Sequence, residues 1–267
     1  MRGVSPLVFA LVLVLGAASR GEHEGLEPAP AGLDGRSIAE LAEATLRSDR
    51  TYLDAEMTVV SPRLTAPRVV AFENWDDRPG RRSFIRIAAP AKDSGTAFLK
   101  LHPNLWMFVP RVERTMRIPP SMMLQSWMGS DFTNDDLVKE SSAIDDYEHR
   151  LLGIDPSPEG HEGLRAYVVE YRPHEDAPVV WGRIVTWIEV EHATPLRQEF
   201  YDEDGVRLRL MEFSEIENME GRYYPRAWSM RPLDKPGHET RIRIREVRFD
   251  ASIDDDVFTK RNLTKRH

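Results

Sequence analysis

The feature that most limits how this chain can fold is a two-residue alternation that recurs along most of its length. In Arg241-Ile242-Arg243-Ile244-Arg245 charged and apolar side chains alternate without a break, and a backbone that sends successive side chains to opposite sides is a β-strand. The same period sets Phe84 and Arg86 against Ile85 and Ile87, and Trp106 and Phe108 against Leu105, Met107 and Val109. It starts near Met57 and Val59 and returns at 166–171, 181–190, 197–201, 206–213, 222–230 and 241–249. Between two of these runs stands Asp202-Glu203-Asp204-Gly205, where Asp-Gly favours the positive φ angles of a tight hairpin. Short strands joined this way predict a large antiparallel sheet with one apolar and one wet face. After Glu246 the alternation resumes at Val247 and Phe249 one residue out of phase, the pattern of a bulge that bends the sheet.

The N-terminal end reads differently. Arg2, the apolar run 7–15 and Gly16-Ala17-Ala18 have the charged start, greasy middle and small-residue exit of a secretory signal peptide cut near Ala18. The run is too short to cross a bilayer core of ~30 Å. Residues 19–36, with their Gly, Pro and Glu, read as a flexible lead-in. Ile38, Leu41, Ala42, Ala44 and Thr45 then recur at helical spacing, with Ser37 as the expected N-cap. No repeat or compositional break follows, so 37–267 is expected to be a single domain.

Chemistry is constrained mostly by exclusion. The chain has no cysteine, which removes disulfides, thiolate metal sites, thiol nucleophiles and lipid attachment at the cut. Lys and Arg number 36 against 44 Asp and Glu, a formal charge of −8, which argues against nucleic acid held by phosphate neutralisation. No two of the histidines stand at the spacing of a metal motif, so no metal is expected. Asp131, Asp135, Asp136, Asp145, Asp146, Glu148 and His149 form an acidic run that lacks the ligand spacing and central glycine of a calcium loop. Helix capping accounts for Asp135 and Asp136, and a hydrolase built on this run ranks last among the functional readings. Nucleophile elbow, phosphate-cradling loop and dinucleotide fingerprint are all absent, so neither catalytic residues nor a cofactor are expected. Arg241, Arg243, Arg245 and Arg248 line one strand face, either as its solvated side or as a contact for anionic headgroups or an acidic partner.

The most unusual stretch is 119–138, which interrupts the strands and carries Met122, Met123 and Met128 within seven residues, with Trp127 and Phe132. Pro120-Ser121 reads as a helix start and Gly129 as its stop, and Thr133 with Asp136 as the cap of a second short helix. These residues either plug the core beneath a crossover or form a removable, adaptable lid over an apolar cavity.

The sequence resembles the outer-membrane lipoprotein-sorting family, the LolA type of carrier, in its longer branch. The resemblance rests on Arg82-Ser83-Phe84-Ile85-Arg86-Ile87, on Pro90-Ala91-Lys92-Asp93-Ser94-Gly95-Thr96, on Leu105-Trp106-Met107-Phe108-Val109-Pro110 and Arg117-Ile118, and above all on 119–138. Asp204-Gly205, the stretch 213–218, Tyr224-Pro225 and the closing Ile253-Asp254-Asp255-Asp256-Val257-Phe258-Thr259 extend it over most of the chain. It implies a mainly β protein with a few helices, in which a curved antiparallel sheet forms an open half-barrel covered by helices. It implies a periplasmic, non-catalytic and monomeric carrier that shields lipid or lipoprotein acyl chains on their way to the outer membrane. An inner-membrane transporter and an outer-membrane acceptor are the implied partners, and some relatives of the longer branch are thought to serve transporters of the resistance–nodulation–division type. The alternative is a lipid-sensing or transporter-accessory module on the same fold. The ligand-facing set is expected to be Trp106, Phe108, Met122, Met123, Trp127, Met128 and Phe132, with Arg241, Arg243 and Arg245 as headgroup or partner contacts.

Overall fold

A computed structural model of the protein describes residues 25–138, 143–177 and 179–265; the signal segment, the first part of the lead-in and the end of the acidic stretch before Ala143 lie outside them. The chain opens with helix α1 (Gly35–Leu46) and six strands, β1 (Arg50–Val60), β2 (Arg68–Asp77), β3 (Arg82–Ala89), β4 (Ala97–Leu101), β5 (Asn104–Val109) and β6 (Arg114–Arg117). The short helix α2 (Asn134–Val138) precedes β7 (Tyr147–Asp155), β8 (Ala166–Pro173), β9 (Arg183–Glu189) and β10 (Pro195–Tyr201). β11 (Arg207–Met219), β12 (Arg222–Pro232), β13 (Glu239–Arg248) and helix α3 (Lys260–Leu263) complete it.

All thirteen strands join one sheet in the order β6-β5-β4-β3-β2-β1-β13-β12-β11-β10-β9-β8-β7. Every neighbouring pair is antiparallel, and only β1 and β13 pair across a large sequence separation. The two edges, β6 and β7, are therefore consecutive strands. In an up-and-down barrel they would pair and close the sheet. Instead the unusual stretch 119–138 runs between them, and the sheet stays open.

Local sequence explains the curvature. Asp54 pairs with Glu246 and Ala55 with Ile244, so Arg245 is the extra residue of a bulge. The phase slip read after Glu246 is this feature, and it lets Val247 join Ile242 and Ile244 in one core. β4 was not marked by alternation because both of its faces are covered, its first four residues all being buried. At the β10–β11 turn only Gly205 takes a positive φ, of 79°, so the expected pair of positive angles at Asp204-Gly205 reduces to one. Asp202 holds the turn by accepting the Val206 N–H on its side chain at 2.8 Å.

Two expectations near the N-terminus need correction. α1 is capped by Asp34, whose carboxylate accepts the Ser37 N–H at 3.0 Å and the Ser37 hydroxyl at 2.6 Å, so Ser37 lies inside the helix. The later part of the lead-in is also anchored: Glu27 and Ile154 exchange backbone hydrogen bonds of 2.8 and 2.9 Å.

Candidate functional site

The inner face of the sheet is covered in two ways. Over β7–β10 lies α1, whose Ile38, Ala39 and Ala42 meet Val169, Tyr171, Ile184, Ile188 and Phe200. Over β1–β5 and β13 lies 119–133, which turns Trp127, Met122, Met123, Met128 and Phe132 onto Val70, Phe72, Ile85, Ile87 and Phe98. The expected first helix of this cover is only a 3-10 turn, Pro120–Met122. The second helix forms as α2 with the expected cap. Asp136 accepts the Thr133 N–H at 2.8 Å, and the Thr133 hydroxyl accepts the Asp136 N–H at 3.2 Å, a reciprocal capping box.

Trp127 is the centre of the plug. Only 2% exposed, it packs edge-on against Phe72 and Phe98 with ring centres 5.6 and 5.9 Å away. Its indole N–H is buried without a hydrogen-bond partner, which costs about 1–3 kcal/mol. Met128 takes φ +50° and Gly129 φ +75°; the former is a strained conformation for a methionine. A few side-chain bonds hold the segment, notably Arg68 donating to the Met128 carbonyl and Asn134 to the Met122 carbonyl.

Between plug and α1 a hollow of about 790 Å³ remains, within the range of ligand pockets. One wall is apolar, formed by Ala39, Ala42, Leu46, Tyr171, Ile184 and Phe200. The other is charged, with Asp76, Asp77, Arg82, Lys100 and Asp136. Burial pushes the Asp76 carboxyl up, against the opposing pull of Arg47, Lys100 and Arg78. Burial would also raise Asp136, but Arg209 at 3.1 Å and the Thr133 bonds outweigh it and hold this carboxyl below its usual range. The Asp136–Arg209 pair ties the end of the plug to β11.

Of the seven residues expected to face ligand, the structure brings together Met122, Met123, Trp127, Met128 and Phe132. Trp106 and Phe108 are on the other side of the sheet, packed with Phe84, Leu99, Phe258 and Leu263 under the C-terminal segment. The alternation put them on one face correctly, but that is the outer face, whereas Leu105 and Met107 turn inward. None of the seven lines the remaining hollow. Lys100 was legible as a signal: a charged residue at an inward position of the otherwise apolar run 97–101, and only 8% exposed. The acidic run does not form one centre. Asp131 bonds Thr240 and His238, Asp136 pairs with Arg209, and Asp145 with Arg36; no cluster able to hold a metal occurs among the described residues.

An unclosed, curved antiparallel sheet with a hollow on its inner face defines the architecture as an open half-barrel, and solved structures share it. A DUF1329 family protein from Desulfovibrio piger ATCC 29098 superposes with TM-score 0.75 at 22% identity, covering 86% of this chain and 97% of that one. A putative outer membrane lipoprotein-sorting protein domain from Vibrio parahaemolyticus gives 0.71 at 22%, covering 86% and 98%. A LolA superfamily protein from Nitrosomonas europaea gives 0.69 at 21%, covering 86% and 99%. These likenesses establish the fold. A family model described as "-like: Uncharacterized protein" matches residues 80–265, and the chain belongs to that family. No curated protein matches the chain. No helix among the described residues is long and apolar enough to cross a membrane.

Proposed function

We propose that the protein is a non-catalytic carrier of lipid or lipoprotein acyl chains, acting as a monomer in the periplasm after removal of its signal peptide. An inner-membrane donor and an outer-membrane acceptor would be its partners. The observation that carries the reading is Trp127: a large apolar side chain that fills the inner face from an irregular, methionine-rich segment, with its one polar atom unsatisfied. Such a segment is a stand-in for cargo. When it withdraws, Phe72, Phe98, Ile85 and Ile87 become the apolar wall of a hollow continuous with the space beneath α1. An acyl chain taking its place regains ~0.8 kcal/mol per buried methylene, and methionines can repack around chains of different shape. The fold shared with a lipoprotein-sorting domain supports the same reading.

Native mass spectrometry of gently purified protein should find bound lipid, and the full chain should move a fluorescent phospholipid from donor to acceptor vesicles. Replacing Met123 and Trp127 together with Glu should loosen the plug from the apolar wall and raise lipid content and uptake while export continues. Lipid content and transfer unaffected by that double change would reject the plug as the acyl site. Binding without transfer would instead favour the sensing or transporter-accessory module.

A further inference from the structure

The two edges of the sheet are protected unequally. Along β7 the Glu27–Ile154 pairing and α1 cover part of the strand. Along β6 no described segment pairs with the outer side. The Ile118 N–H donates to the Leu105 carbonyl at 2.8 Å, and with Met116 opposite Met107 and Arg114 opposite Val109 the ladder leaves the N–H and C=O of Thr115 and Arg117 turned outward. Around this edge stand Arg111, Arg114 and Arg117, all exposed. No ion pair or side-chain hydrogen bond engages any of the three among the described residues. The arginines of β13 contrast with them: Arg241, Arg243, Arg245 and Arg248 each face a carboxylate. On the outer face of the same wing the Lys260 ammonium lies 3.5 Å from the Trp106 ring centre and adds another positive charge. Val112, 64% exposed, precedes β6 in the chain, and Leu124, 66% exposed, follows it.

A short charged edge is a common defence against self-pairing, and here three like charges would repel a second copy. In a protein of net charge −8 the same charges select one kind of visitor. We propose that β6 is the docking edge for an acidic, extended segment of a partner protein, which adds a strand beside it. Its backbone meets the outward groups of Thr115 and Arg117, as in strand addition generally. Its carboxylates, alternating between the two faces, meet Arg114 on the inner side and Arg117 on the outer side, with Arg111 at the end of the strand. This interface does not depend on what the hollow carries.

The test is fluorescence anisotropy of the full chain with a labelled peptide of repeating Glu-Glu-Val-Val, whose adjacent carboxylates reach both faces of an added strand, beside one of repeating Lys-Lys-Val-Val. The acidic peptide should bind, more weakly as salt rises, and the basic one should not. The triple change R111E/R114E/R117E, at exposed positions that leave the core intact, should weaken binding by about tenfold or more. T115P, which removes one outward N–H without breaking the β5–β6 ladder, should weaken it severalfold with the charges unchanged. R241Q/R243Q/R245Q should leave it unaffected. Equal binding by the triple reversal, equal binding of the basic peptide, or binding to phosphatidylglycerol vesicles without binding of the acidic peptide would overturn the proposal.

Discussion

The two halves of the inner face cover similar sheet with unlike materials. Over β7–β10 the cover is a helix, whose backbone satisfies its own hydrogen bonds and which presents Ala39 and Ala42 to the sheet. Small side chains on a self-sufficient rod leave space, and the hollow is found there. Over β1–β5 the cover is an irregular segment that carries Trp127 and three methionines. Large side chains fill the space, but the backbone is held by isolated turn bonds, such as the Trp127 N–H to the Phe132 carbonyl at 2.7 Å and the Asn134 N–H to the Gln125 carbonyl at 3.0 Å, and by side-chain bonds from Arg68, Ser126, Ser130 and Asn134, with no continuous helix or sheet ladder over 119–133. On the proposed carrier function, the permanent cover is the one that leaves room, and the filled half is the one that opens. Local opening of this kind comes from elements with few regular hydrogen bonds.

The largest effect that tests this contrast is on stability. Phe84 is fully buried on the outer face, and Phe84→Ala should cost about 3–5 kcal/mol in urea unfolding. Trp127→Ala removes an even larger side chain, yet should cost only about 1–2 kcal/mol, because a segment that detaches locally limits what its loss can cost. Equal losses would make 119–133 permanent core and break the comparison. The latch comes next. Asp136→Asn leaves the Arg209 guanidinium, 11% exposed, without its counter-charge, and should cost about 2 kcal/mol, somewhat below the value for fully buried pairs. Since the folded-state carboxyl titrates below the usual value of 3.8, its contribution is complete above that range and is lost as pH falls through the lower folded value. Wild type and variant should therefore converge in strongly acid solution, while phospholipid uptake by the wild type rises there. A smaller effect separates the two halves as binding sites. Ala42→Phe fills the hollow beneath α1, should cost about 1 kcal/mol, and should reduce acyl-chain binding if cargo extends beyond the plug. Unchanged binding would confine the chain to the space that Trp127 vacates.

Periodicity is local, and what it can reveal is local too. The alternation at 241–249 disclosed both the strand and its bulge, because the apolar set of Ile242, Ile244 and Val247 must reach one core whatever the rest of the chain does. It also grouped Trp106 with Phe108. It could not say which face was inner, since the outer face of this wing is made apolar by Phe258 and Leu263 from the far end of the chain. Segment 119–138 was recognisable as an interruption through its composition. Its position between the two sheet edges depends on the β1–β13 pairing, which joins the ends of the chain and leaves no mark in either strand. The hollow was invisible for the same reason: Asp76, Lys100, Tyr171 and Phe200 come from four strands, and only Lys100 looks out of place in its own.

The smallest expected effect concerns the outer face of β13, where sequence suggested a headgroup contact through Arg241, Arg243 and Arg245. In the fold these side chains pair with Glu239, Glu215 and Glu56, carried by β13 itself, β11 and β1. Exposed pairs of this kind contribute about 0–1 kcal/mol each, so changing all three arginines to Gln should lower stability by no more than about 2 kcal/mol. Their effect on anionic surfaces should be smaller than three positive charges suggest, because the interleaved carboxylates offset the field a vesicle would meet. Sedimentation with phosphatidylglycerol vesicles at low salt should therefore give the same bound fraction for wild type and the triple Gln variant. A clear loss of binding in the variant would mean that the pairs open at a membrane, and that the outer face of β13, and not only the inner surface, takes part in handling lipid.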